Sequence, residues 1–182
     1  MSLGRPPTAF TIARVQAIDI TMNWRWMPVL VLGTWLLAQN VLPARFPTWE
    51  LGTTWLTAAT IVLAGEVALL LHELSHALMA RGRGQEVLRI VFHGFQAETV
   101  CGEGLPTPAH EALIALAGPG VNLALAGVLE LVRWTLAPEG PLDVALVLLA
   151  VGNVAMAAMS LVPIGGSDGG RALCAMRRAR ST

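Results

Sequence analysis

Residues 53–80 read TTWLTAATIVLAGEVALLLHELSHALMA, an apolar run that holds four ionisable groups, Glu66, His72, Glu73 and His76. About 20 helical residues cross roughly 30 Å of hydrocarbon, so this stretch predicts a transmembrane helix. His72 and His76 stand four apart and stack one turn apart on the same helical face. Two imidazoles so placed can grip one metal ion, and Glu73 beside them can take a proton from water. The plain alternative is a chance match, with both histidines hydrogen-bonded inside a bundle. Ionisable groups within a span are costly and usually functional, and three of them fall between His72 and His76. That favours a metal site.

The rest of the chain has the same character. Of its 182 residues 54% are hydrophobic and 13% charged, with a mean hydropathy of +0.61. Soluble domains carry about a quarter charged residues, so a water-soluble enzyme is a poor fit. A formal net charge of zero gives no case for nucleic-acid binding. Every basic residue is Arg and Tyr is absent, a compositional bias of the kind a GC-rich prokaryotic genome produces. Cys101 and Cys174 form no CxxC pattern, so neither a disulfide framework nor a thiolate zinc site follows. Residues 1–21 contain Arg5, Arg14, Gln16 and Asp19 and do not read as a cleavable signal peptide.

Three more segments are apolar enough to span: about Trp26–Leu42, His110–Leu136 and Pro141–Val162. The 81–109 stretch is too polar to do so. Its Leu88–His93 part alternates and Gly94 can turn it, which suggests a short hairpin. Residues 10–22 alternate weakly and could supply another strand. Four spans put both termini and the 81–109 loop on one side, with ten arginines there against Arg45 and Arg133. By the positive-inside rule that side is cytoplasmic.

A catalytic zinc site usually has three protein ligands and an open position. His93 sits in the expected hairpin and His110 at the start of the third span, so both are weak candidates. Asp168 is better placed, in Leu161-Val162-Pro163-Ile164-Gly165-Gly166-Ser167-Asp168-Gly169-Gly170-Arg171. It follows the fourth span on the side toward which His72 and His76 lie, and the proline and glycines let the backbone turn.

The His72-Glu73-x-x-His76 helix, the Gly118-Pro119-x-x-Asn122 segment and the Pro163-x-x-x-x-Asp168-Gly169 segment resemble, in that order, the site-2 protease family of intramembrane zinc metalloproteases. The resemblance covers roughly residues 10–175 and is to the compact form, without a PDZ-like or CBS module. It implies zinc held by His72, His76 and Asp168, with Glu73 as general base. It also implies hydrolysis of a peptide bond in or near a transmembrane segment of a membrane protein, as in regulated intramembrane proteolysis. An edge strand for an unwound substrate is implied as well, and residues 88–100 lie in the right place for it.

The pattern is departed from at Ser160, where the family usually has Asn three residues before the proline. Asn122 and Ser160 are the candidate substrate-contacting groups. The chain also stops soon after Asp168, where many relatives continue with further helices. Substrate gating then falls to a partner chain, an oligomer contact or further sequence. Glu66, near the bilayer centre, is expected to be a structural group bonded to Asn153 or, second, Asn122; a proton path toward the metal is its rival role.

The fold class is therefore mainly α, a polytopic bundle of about four spans with a small cytoplasmic-side β element, forming one membrane-embedded domain over residues 1–182. The function expected is zinc-dependent endoproteolysis in the bilayer. A catalytically weak member that captures membrane helices is the alternative reading. A transporter would call for an inverted repeat, and none is evident.

Overall fold

A computed structural model describes residues 9–16, 18–24, 26–92, 97–101 and 107–180. Four helices among them are long and apolar enough to cross a membrane: Trp26–Arg45, Leu51–Gly82, Pro108–Leu136 and Pro141–Leu161. The first is built in pieces, α1 (Trp26–Leu36), a π-helical turn (Leu37–Val41) and α2 (Leu42–Arg45). The others are α3 (Leu51–Gly82), α4 (Pro108–Leu136) and α5 (Pro141–Leu161). Their large apolar side chains, such as Leu56, Val128 and Val151, are exposed on the bundle's outer surface, as a hydrocarbon solvent allows. The chain is an integral membrane protein.

Local chemistry sets the helix ends. Thr107 caps α4 by accepting from the His110 N–H at 3.3 Å, ahead of Pro108 at the first position. Proline also opens α5. Buried contacts between spans fall largely on small residues, including Ala58, Ala115, Ala126, Ala150 and Ala157, which let backbones approach closely.

A 32-residue helix is about 48 Å long, well beyond the hydrocarbon thickness. Gly33 of α1 faces Val62, and the indole of Trp26 donates to Glu66 at 2.9 Å. The first span thus begins opposite Glu66, and α3 runs on to Gly82 without it. A four-stranded sheet covers that extension: β1 (Ala9–Val15), β2 (Ile18–Asn23), β3 (Val87–Phe92) and β4 (Ala97–Cys101), in the order β1-β2-β3-β4. Ile18, Ile20, Met22, Val87, Ile90 and Phe92 pack there against Ala77, Ala80 and Ile114.

The expected hairpin is the antiparallel β3–β4 pair, although His93 and Gly94 lie outside the described residues. Residues 10–22 hold two strands rather than one, turning near Gln16, whose φ is +46°. β2 and β3 run parallel, with Ile20 beside Ile90. Two membrane crossings separate those strands in sequence.

One expectation is corrected. Glu66 does not bond Asn153 or Asn122: its partner is Trp26, on the span whose start lies nearest, while the two asparagines bond each other. The chain turns at Gly165 and Gly166, as the proline and glycines predict, and Asp168 follows. It opens a sixth helix, α6 (Asp168–Arg180), capped by Ser167, whose hydroxyl oxygen accepts from the Gly170 N–H at 3.0 Å. Gly169 serves close approach there, since a Cβ on it would stand 1.9 Å from the Leu161 carbonyl oxygen.

Candidate metal centre

Helix α3 presents His72, Glu73 and His76, all buried, from the extension that the sheet covers. α6 delivers Asp168 to the same point. The Nε2 atoms of the two histidines are 3.1 Å apart, and Asp168 Oδ2 lies 3.2 Å from His72 Nε2 and 3.4 Å from His76 Nε2. Glu73 belongs to the same cluster of donor groups.

The far sides of both rings explain why the Nε2 atoms face inward. His76 Nδ1 is 2.7 Å from the Ile114 carbonyl oxygen, which can only accept, so the proton sits on Nδ1 and Nε2 keeps its lone pair. His72 Nδ1 is 2.6 Å from Asn122 Oδ1, which has the same effect. A histidine that donates its other ring N–H to an oxygen is the usual arrangement of a metal ligand. Three acceptors this close repel one another unless a cation lies among them, and one proton serves a single pair at a time.

The donor set fits zinc. Tetrahedral ligands at about 2.0–2.1 Å from zinc are about 3.3–3.4 Å from each other, and the three distances here are 3.1, 3.2 and 3.4 Å. Gly118 keeps the space open. A Cβ there would stand 2.3 Å from His76 Nε2 and 2.5 Å from His72 Nε2, inside the volume a metal would need.

Glu73 faces the sheet. Its Oε2 accepts from the Thr99 hydroxyl of β4 at 3.0 Å, a contact that sequence reasoning missed because a lone threonine in a short strand carries no signal. β4 is an edge strand, hydrogen-bonded to β3 on one side.

Asn122 and Ser160, the candidate substrate-contacting groups, both make hydrogen bonds within the protein. Asn122 is fully buried with both ends of its amide engaged, and it supports His72. The Ser160 hydroxyl donates back to Ala157 O within its own helix at 3.1 Å, the short-range bond a serine makes in place of an asparagine's longer reach. His110 serves the α4 cap through its backbone N–H.

No family model matches the chain. A solved structure, the site-2 protease from Methanocaldococcus jannaschii, superposes with a TM-score of 0.63 at 21% identity, over 92% of this chain and 71% of that one, and so shares the fold. A Mycobacterium tuberculosis protein provisionally named zinc metalloprotease Rip3 is 32% identical over 90% of this chain. The chain has the site-2 protease fold and is similar in sequence to a protein named as a zinc metalloprotease. A second relative, from Synechocystis and provisionally named zinc metalloprotease sll0528, is 31% identical over 86% of the chain. The chain spans 42% and 41% of the lengths of these two relatives.

Proposed function

We propose that this protein is an intramembrane zinc metalloprotease that hydrolyses a peptide bond in or near a transmembrane segment of a membrane protein. The triangle of His72 Nε2, His76 Nε2 and Asp168 Oδ2, with Glu73 beside it, carries the reading. These three residues would hold the ion, which when bound supplies Lewis acidity that activates water and polarises a carbonyl.

Glu73 is the proton carrier. Its Oε2 accepts the Thr99 hydrogen bond, leaving Oε1 to take a proton from the attacking water and pass it to the departing amine. The outer edge of β4 offers backbone groups to an extended substrate. Pairing there satisfies the polar groups of an unwound helix that hydrocarbon would leave bare. The arginine distribution supports cytoplasmic termini, with the sheet on that side, and the bacterial and archaeal relatives support a prokaryotic cell membrane.

Ser160 supports a second reading, a helix-binding module with little turnover, because its hydroxyl is engaged within α5. One experiment separates the two: zinc-loaded protein in bilayers is incubated with a library of membrane-helix substrates, beside a Glu73→Gln control. Cleavage by the wild type alone supports the protease. Equal processing by both would end that proposal, and capture without cleavage would favour the binding module.

A further inference from the structure

We infer that Asn153, one helix removed from the donor triangle, is a positioning residue for it: it orients the Asn122 amide and thereby decides which nitrogen His72 turns to the metal. The inference rests on the zinc reading above. An amide can meet a histidine with either end. Were Asn122 to present its NH2 group, Nδ1 of His72 would have to accept, and the ring proton would move to Nε2, where it blocks coordination.

The contacts beyond Asn122 forbid that arrangement. Asn122 Nδ2 donates to Asn153 Oδ1 at 3.1 Å and to Met156 Sδ at 2.9 Å. Asn153 Nδ2 in turn donates to the Leu149 carbonyl oxygen at 2.9 Å. A backbone carbonyl only accepts, so it fixes the Asn153 amide, which then shows its oxygen to Asn122, which shows its oxygen to His72. The polarity runs one way from α5 through α4 to α3. His76 reaches the same end in one step, through the Ile114 carbonyl. Both asparagines are buried, and buried amides in a bundle are costly unless each donor and acceptor is met. Side-chain packing alone would not impose a direction on the relay.

The test measures zinc affinity by chelator competition and the visible spectrum of the cobalt-substituted protein, in purified full chain. Asn153→Leu should lower zinc affinity about 10–100-fold and alter the cobalt spectrum, with helix content unchanged. Asn153→Met is run beside it, so that a packing fault peculiar to leucine does not decide the result. The decisive comparison is Asn153→Leu in an Asn122→Asp background. A carboxylate has no amide end to misorient, so there the second substitution should change affinity by less than about twofold. An equal loss in both backgrounds would assign Asn153 to packing and overturn the inference, as would no loss in either. Loss of zinc by Asn122→Asp itself would also overturn it, showing that position 122 needs more than an acceptor. Failure of the wild type to bind zinc would remove the proposed function, and this inference with it.

Discussion

The Thr99 hydroxyl of β4 lies 3.0 Å from Glu73 Oε2 and 3.2 Å from the Glu73 carbonyl oxygen, so an edge strand holds the carboxylate of a membrane helix by one side chain. Thr99→Val keeps the shape of the side chain and removes the donor. Loss of one hydrogen bond to a buried group costs about 1 kcal/mol or more, so kcat should fall about fivefold or more while bound zinc stays stoichiometric. Thr99→Ser should retain most activity. Unchanged kcat in Thr99→Val, measured on a single cleaved helix, would show that the contact is incidental.

Glu73 is not among the three groups of the donor triangle. Glu73→Gln should therefore lose cleavage and keep its zinc, whereas His76→Ala should lose both. Metal analysis of the purified variants checks the distinction, and a zinc-free Glu73→Gln protein would make Glu73 a ligand.

Gly118 leaves no room for a side chain beside the metal-facing nitrogens. Its Cβ would stand 2.3 Å from His76 Nε2, a separation that neither rigid helix can relieve cheaply. Gly118→Ala should fold, insert in membranes and bind zinc at a small fraction of the wild-type stoichiometry. Full occupancy in that variant would contradict the geometry.

The Trp26–Glu66 bond joins the first span to α3 through one indole N–H at 2.9 Å. Trp26→Phe preserves an aromatic ring but leaves the half-buried carboxylate without this donor, a loss of about 1 kcal/mol. Glu66→Gln can still accept from the indole and should be milder. Denaturant unfolding in detergent measures both, and zinc content should be unaffected in each. A coupled loss of zinc would instead tie Glu66 to the metal centre.

Much of the centre is legible in the chain because its chemistry is local. The four-residue interval from His72 to His76 is one helical turn, and turn geometry alone puts both rings on a common face. Asp168 is legible through the helix break at Pro163 and the glycine turn that precedes it. Ser167-Asp168 is a helix-start signal, and Gly169 and Gly170 are helix residues pressed against the Leu161 and Ile164 carbonyls. Glu66 is the exception. Depth along a helix was estimated correctly enough to seek a buried partner, but depth does not say which neighbouring span faces it.

The apolar lengths of four spans, the histidine pair with its adjacent carboxylate and the small sheet can all be read along the chain, since each depends on spacing within one segment. The parallel pairing of β2 with β3 across two membrane crossings, the Thr99 hold on Glu73 and the contact of Asn122 with His72 emerge only in three dimensions. Those are contacts between segments distant along the chain, and they are selected by the close packing of helices and by the cost of leaving any buried polar group unpaired. No periodicity along a single chain encodes them.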